Sequence, residues 1–263
     1  MADKQFEEYK EKLDKLNLKT SEDLENLVKP LIKNATRIIV KKQPEIPKNS
    51  HLKSHFGGQP YFENGEEWPK ARDDFRNNCD LEFVFQIFND GSIVLPENIK
   101  LVQFFYDLEG ELSFDTSDGG WFVKIYENLN MENMVIVEKP SEHTAVKYCE
   151  IEFEPKKSLP DWQEIGTYDE NIEMLSCVLD EENPWNNYQR IVEKLIGEQD
   201  IKSQLGGYAQ WIQGDNNPED KRIQLLFQID SEDDAGLMWG DVGLIYVFYN
   251  NRNKSIEYVL QCC

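Results

Sequence analysis

Apolar residues near the start of the chain recur every three or four positions, a spacing that is typical of amphipathic helices. The first such segment covers residues 3–18, and the second covers residues 20–35. Thr20 or Ser21 can cap the second helix with a side-chain oxygen. Pro30 should kink or end that helix, because proline has no amide hydrogen to donate.

From residue 56 onward the pattern changes to an alternation with a period of two, which predicts β-strands. In LEFVFQIF, the alternation places Leu81, Phe83, Phe85 and Ile87 on one face and Gln86 on the other. Turn residues separate this strand from the others. Further strands are predicted at 36–42, 99–107, 120–127, 133–139, 145–155, 222–230, 242–250 and 255–261.

A helical pattern returns between the two groups of strands. A short helix is predicted at 172–179, within an acidic stretch. The clearest helix of the chain is predicted at 184–196: Asn183 can cap it, Pro184 occupies its first position and Gly197 ends it.

Three motifs occur twice in the same order, which indicates an internal duplication. The pairs are LKSHFGG (52–58) with IKSQLGG (201–207), LEFVFQI (81–87) with IQLLFQI (223–229), and FYD (105–107) with FYN (248–250). We therefore predict an α+β fold with two similar antiparallel β-rich halves, helices at the N-terminus and a helix between the halves.

The predicted organisation is one globular unit in four segments. Helices, a short strand and a linker occupy 1–48, and the first β-rich repeat occupies 49–155. A connecting segment at 156–200 contains the helix 184–196, and the second repeat occupies 201–263.

The glycine doublets of the repeats precede strands, not helices. Phosphate-binding loops need a glycine pattern that opens a helix, so nucleotide binding is not predicted here. Glycine instead permits a positive φ or a close approach of another segment. We assign structural turns to Gly57, Gly58, Gly206, Gly207, Gly240 and Gly243.

Charge narrows the range of partners. The chain has 263 residues and a net charge of −22. The first 53 residues carry 12 basic and 9 acidic side chains, whereas the rest carry 16 and 41. Such a chain repels nucleic acid and anionic membranes, so neither is an expected partner. A basic protein partner fits the charge, although an acidic surface can also serve solubility alone.

Candidate residues for catalysis or metal binding are few. The five cysteines form no Cys-x-x-Cys pair, which favours reduced thiols in a cytoplasmic protein. His51, His55 and His143 form no metal-binding pattern on a helix, and no nucleophile motif is present. A C-terminal Cys262-Cys263 pair can signal prenylation, but the polybasic run that often accompanies it is absent. No catalytic residue, metal or cofactor is predicted.

Several motifs together resemble the YwqG-like family, a bacterial family of unknown function. They are FGGQPYFENGEEWP (56–69), FVFQI (83–87), LVQFFYD (101–107) and MWGDVGLIYVF (238–248). The resemblance spans about residues 50–250 and implies an α+β fold without an established activity. Some members carry a Cys-x-x-Cys insertion after the Trp-Pro element. This chain lacks it after Pro69, so the resemblance implies no zinc site.

Two hypotheses for function remain. Mid-strand amides at Gln86 and Gln228 could line a pocket at the junction of the halves, together with Trp68, Trp239 and Asp241. They could instead bond to neighbouring backbone and brace the fold. The sequence favours a non-catalytic binding or protein-interaction module, for example an immunity-type protein that binds a basic partner. The alternative is a small-ligand-binding protein or an enzyme that uses the junction pocket.

Overall fold

A computed structural model of the chain describes residues 3–72, 75–140, 145–214, 216–218, 220 and 222–262. Its helices and mostly antiparallel strands confirm the α+β class. The chain divides into two units, each made of separate stretches. The helical unit comprises Met1–Ala35, Lys156–Ile201 and Gly207–Asn217; the sheet unit comprises Thr36–Pro155, Lys202–Gly206 and Pro218–Cys263.

Amphipathic helices build the helical unit. They are α1 (Asp3–Leu16), α2 (Ser21–Val28), α3 (Ile165–Tyr168), α4 (Glu170–Leu179) and α5 (Pro184–Ile196). Their apolar faces form one core, which includes Leu24, Val28, Ile172, Leu175 and Val192. The helix predicted at 184–196 is confirmed with the same bounds. None of the described helices has the length and apolar character needed to cross a bilayer.

Capping explains where two of these helices begin and end. Thr20 Oγ1 accepts a hydrogen bond from the Asp23 N–H, and the Asp23 carboxylate accepts one from the Thr20 N–H. Helix α2 ends two residues before Pro30, as predicted. The prediction that the Asn183 side chain caps α5 is wrong. That side chain makes no cap hydrogen bond, and the Asn183 N–H donates to the Asp180 carboxylate instead.

Ten strands form one sheet in the order β12-β11-β10-β9-β1-β8-β2-β4-β5-β6, and β3 pairs with β7. Strands β1 and β8 run across the division between the units, and the other ten lie in the sheet unit. The strands are β1 (Lys33–Lys42), β2 (His55–Phe56), β3 (Phe62–Glu63), β4 (Glu82–Phe88), β5 (Leu101–Tyr106), β6 (Trp121–Tyr126), β7 (Met134–Val135), β8 (Cys149–Ser158), β9 (Gln204–Gly206), β10 (Gln224–Asp230), β11 (Leu244–Tyr249) and β12 (Ile256–Gln261).

A bulge in β4 changes which side chains share a face. The register against β5 shifts between Phe83 and Phe85, so the regular alternation breaks there. Phe83 packs with Trp68, whereas Phe85 packs in a different cluster with Phe227. The prediction that Phe83 and Phe85 share one face is therefore wrong. Strand β10 has a shift at the matching place, between Leu225 and Phe227.

One predicted strand is much shorter than expected. The pattern at 133–139 predicts seven strand residues, but β7 holds only Met134 and Val135. Its partner β3 consists of only Phe62 and Glu63, so the two strands pair over two residues each. Beyond the ladder, Ile136 is largely exposed.

The sheet is nearly closed, and its centre is aromatic. At the β12 edge, the Leu260 N–H donates to the Phe114 carbonyl at 2.8 Å, and the Tyr258 ring stacks on Trp121 with centroids 4.9 Å apart. Inside, the Phe85 and Phe227 rings meet edge to face at 5.1 Å. Such ring pairs add to the stabilisation from burial alone.

Candidate functional site

The glycine doublets adopt backbone conformations that other residues rarely adopt. Gly57 and Gly58 have φ of +56° and +73°, and Gly206 and Gly207 have +61° and +73°. A Cβ at Gly57 would lie 2.5 Å from the Val146 carbonyl oxygen, which is closer than real Cβ contacts. Both features demand glycine, and neither involves a helix N-terminus.

The other two predicted turn glycines flank a tight loop. Gly240 has a φ of +75°. A Cβ at Gly243 would lie 1.6 Å from the Trp239 carbonyl oxygen, so no side chain fits there. Close backbone approach therefore requires glycine at position 243, as positive φ does at position 240.

Gln86 is fully buried, and both ends of its amide are bonded within the protein. Its Oε1 accepts from the Tyr61 N–H at 2.9 Å and from the Gln103 amide at 3.2 Å. Its Nε2 donates to the carbonyls of His51 at 3.0 Å and Lys53 at 2.8 Å. These four bonds use the capacity of a glutamine amide. Gln86 therefore braces loop backbone against β4.

Gln228 occupies the matching place in β10 and is also fully buried. Its Nε2 donates to the Lys202 carbonyl at 2.7 Å, as Gln86 does to Lys53. The two glutamines follow Phe227 and Phe85, whose rings meet. Because neighbouring residues of a strand point to opposite faces, both amides point away from that contact. The two amides therefore do not converge on a common pocket.

The two tryptophans of the predicted pocket are core residues of different clusters. Trp68 Nε1 donates to the Leu81 carbonyl at 2.7 Å, and its ring packs on Phe105. Trp239 is fully buried, and its Nε1 donates to the Asp230 carbonyl at 3.1 Å. The structure thus brings neither tryptophan to a surface where a ligand can reach its ring.

Asp241 is the one member of the predicted set that is exposed, and it lies in the loop between β10 and β11. Two apolar side chains of this loop are also exposed: Met238 by 73% and Val242 by 67%. Val242 has a φ of +51°, in the left-handed region that β-branched residues disfavour. Sequence reasoning missed both apolar residues. The signal available was a valine between the glycines of a turn.

Ser231 and Trp239 hold this loop at its base. Ser231 Oγ accepts from the Trp239 N–H at 3.0 Å and donates to the Gly243 carbonyl at 3.1 Å. The buried Trp239 indole anchors the chain between the exposed residues Met238 and Asp241. The loop is thus a pre-shaped feature that carries apolar and acidic groups. We call it the β10–β11 loop (residues 231–243).

His55 lies behind the first glycine doublet and is fully buried. Its Nδ1 is 2.6 Å from the Gly57 carbonyl oxygen, so Nδ1 carries the proton and donates. Its Nε2 has no hydrogen-bond partner among the described residues. Burial lowers the pKa of His55 to about 4, although the Gly57 carbonyl opposes this shift. Before the second glycine doublet, Gln204 Nε2 makes a similar bond to the Gly206 carbonyl at 3.0 Å.

The buried histidine should make the protein less stable in mild acid. The folded pKa lies below the unfolded value of 6.5, so the unfolded chain binds the proton first. The contribution of His55 to stability is fully present above pH 6.5, and it falls as the pH is lowered toward the folded pKa of about 4. We expect the His55 contribution to fall by about 2 kcal/mol between about pH 7 and pH 5. The measurement is urea unfolding at both pH values.

The control for this prediction is His55→Gln, which installs the residue type that precedes the second glycine doublet at position 204. Burial raises the pKa of Glu232, so this carboxyl group adds stability as the pH falls, opposite to His55. It does so equally in wild type and in His55→Gln. The difference between wild type and variant therefore isolates His55. Equal pH dependence in the two proteins would show that His55 is not the cause.

Burial makes three of the described cysteines poor nucleophiles. Cys79, Cys149 and Cys177 are not in disulfide bonds. Burial raises the pKa of the Cys177 thiol to about 11, and it also raises those of Cys79 and Cys149. A raised thiol pKa disfavours the reactive thiolate. The described residues contain no group of three His, Cys, Asp or Glu suited to a metal ion. His143 and Cys263 lie outside the described residues.

Comparison with known proteins gives one family. The family model of a domain of unknown function, DUF1963, matches residues 54–255. This range includes both glycine doublets and the β10–β11 loop. No curated protein shows significant similarity to the chain.

Proposed function

The chain belongs to the family of the domain of unknown function DUF1963, and on that premise we propose that it is a binding module without catalysis. In this proposal it is a YwqG-like bacterial protein of the cytoplasm and recognises a basic protein partner. An immunity-type protein that captures a basic toxin is one form of such a module. The family description assigns no reaction, so the support comes from the surface of this chain.

The β10–β11 loop is the observation that carries the proposal. Met238 and Val242 expose more of their apolar surface than is usual for such residues, and Asp233 and Asp241 are exposed in the same loop. The left-handed conformation of Val242 costs about 1–2 kcal/mol. Backbone strain of this kind concentrates at functional sites. Apolar groups with carboxylates beside them suit a partner that presents apolar and basic groups.

The fixed shape of the loop favours tight binding. The Ser231 and Trp239 hydrogen bonds order the loop before any partner arrives. A pre-ordered loop loses little conformational entropy on association, so more of the contact energy appears as affinity. The net charge of −22 adds long-range attraction for a basic partner and speeds association.

We also propose that the two halves arose by duplication of one unit, and five matches support this. From the centre of the sheet outward, the strands on one side are β8, β2, β4, β5 and β6. On the other side they are β1, β9, β10, β11 and β12. The bulges, the glycine φ angles and the Gln86 and Gln228 bonds correspond. Ser54 and Ser203 Oγ each accept a strand N–H at 2.9 Å. In this arrangement β1 belongs to the second half.

The proposed function predicts a specific loss of partner capture. Wild-type protein on beads should retain a basic protein from the native cell lysate, and about 0.5 M salt should release it by screening. The double variant Met238→Ser/Asp241→Asn should bind the retained protein about tenfold more weakly. Affinity is measured with the purified partner by titration calorimetry.

A matched control is available elsewhere in the sheet unit. Met131 and Glu132 are also an exposed methionine and an exposed acid. Met131→Ser/Glu132→Gln should leave the affinity unchanged. Absence of any basic protein on the beads at low salt would argue against the proposed function. Equal losses in the two double variants would argue against the β10–β11 loop as the binding surface.

A further inference from the structure

A second surface of the sheet unit is lined by three lysines. A cleft of about 630 Å³ lies between the segment after β1, the first glycine doublet and the start of β8. We call it the lysine cleft. Its lining includes Lys42, Ile46, Gly58, Lys139, Lys147 and Tyr148. This volume is within the range of small-ligand sites, about 300–1,000 Å³.

Two of the three ammonium groups of the lysine cleft have no carboxylate partner among the described residues. Lys42 and Lys147 form no ion pair with any carboxylate in the part of the chain that the structure describes. The third ammonium, that of Lys139, forms an ion pair at 3.7 Å with the Glu82 carboxylate, which is not among the lining residues. Two carboxylates, Glu45 and Asp234, also line the cleft, so its formal charge is +1. A positive lining is unusual in a chain of net charge −22.

Lys139 is also partly withdrawn from water, and its side chain is 22% exposed. Burial lowers the pKa of Lys139, and the Glu82 carboxylate opposes this shift. A partly buried ammonium gains more from an anion than an exposed one, because water screens the pair less.

The cleft also offers apolar surface. Ile46 is 57% exposed and lines the cleft with Pro44 and Val146. Gly58 and the Tyr148 ring lie against each other, since a Cβ at Gly58 would be 2.8 Å from Tyr148 Cδ2. A ligand with an apolar body would cover Ile46 and contact these groups, while its anion reached the lysines.

We propose that the lysine cleft binds a small organic anion whose body is apolar, such as an aryl carboxylate, sulfonate or phosphate ester. The lysines supply the charge recognition, and the aliphatic and aromatic lining supplies the contact area. The glycines contribute space and do not cradle the anion. Asp234 of the β10–β11 loop also lines the cleft, so the two sites adjoin. They rest on different side chains, Met238 and Asp241 in one and the lysines in the other, so each proposal can fail without the other.

The test uses anilinonaphthalene sulfonate, a fluorescent apolar anion, and its uncharged analogue phenylnaphthylamine. The full chain should bind the sulfonate saturably at one site and the uncharged analogue about tenfold more weakly. The double variant Lys42→Gln/Lys147→Gln should weaken sulfonate binding about tenfold or more. Lys41→Gln is the matched control, because Lys41 is the neighbouring exposed lysine and pairs with Glu152 at 3.5 Å. The control should leave binding unchanged.

Other results would overturn this proposal. Equal binding of the charged and uncharged probes would show that the lysines do not recognise the anionic group of the ligand. Unchanged sulfonate binding in the double variant, with circular dichroism showing an intact fold, would place the probe elsewhere. In a displacement arm, phenyl phosphate should compete with the sulfonate. Displacement by a glutamate-rich peptide alone would assign the cleft to an acidic protein segment instead.

Discussion

Replacing Gln86 by leucine should lower the free energy of unfolding by about 4 kcal/mol, because buried backbone groups lose their partners. The Tyr61 N–H and the carbonyls of His51 and Lys53 bond to this amide. Leucine fills a similar volume but offers no hydrogen bond. The measurement is urea unfolding followed by tryptophan fluorescence.

Gln5→Leu is the control for this variant, since Gln5 is exposed on α1. It should change stability by less than about 0.5 kcal/mol. If Gln86→Leu were as mild as the control, the Gln86 amide would not brace the loops. The bracing role that we assign to the mid-strand glutamines would then be lost.

Gly57→Ala should lower the free energy of unfolding by about 2–5 kcal/mol. The left-handed φ of +56° costs an alanine about 1–2 kcal/mol. The added Cβ would also lie 2.5 Å from the Val146 carbonyl oxygen, and relieving that overlap costs about 1–3 kcal/mol more. Thermal and urea unfolding measure the loss.

Gly65→Ala separates the two causes of this effect. Gly65 also has a positive φ, of +90°, but a Cβ there meets nothing within 4 Å. It should therefore lose only the conformational part, about 1–2 kcal/mol. Equal losses at both positions would show that the close approach of residue 146 to the doublet is unimportant.

Local signals in the sequence were sufficient to predict much of the helical unit. A proline at the first position of α5 and a glycine after its last residue gave both of its bounds. For α2, Thr20 marked the start and Pro30 predicted a kink or an end, but the helical pattern continued to residue 35, whereas α2 ends at Val28 and β1 begins at Lys33. Such signals act over a few residues, so a single sequence displays them. The Asn183 side chain makes no cap bond, and the Asn183 N–H donates to the Asp180 carboxylate three residues earlier.

Features set by distant residues could not be predicted in this way. The bulge at Phe83 and Phe85 depends on the register against β5, and alternation alone does not reveal a bulge. The place of β1 beside β9 depends on pairing across more than half of the chain.

The candidate sites show the same limit. The sequence predicted Gln86, Gln228 and the two tryptophans as pocket residues because they are polar or aromatic residues of the motifs. In the structure they are buried, and they make hydrogen bonds to the backbone of the protein. The lysine cleft collects Lys42, Lys139 and Lys147 from two distant stretches of the sequence. Tertiary structure alone brings these residues together. The β10–β11 loop was visible as a glycine-rich turn, but the exposure of its apolar residues was not.

Hydrogen–deuterium exchange of the chain, with and without its captured basic partner, tests the central claim most directly. The account predicts that binding slows exchange of backbone amides in the β10–β11 loop, around Met238 and Val242. The helices of the helical unit should exchange at unchanged rates. Slower exchange confined to those helices, with the loop unaffected, would contradict the account.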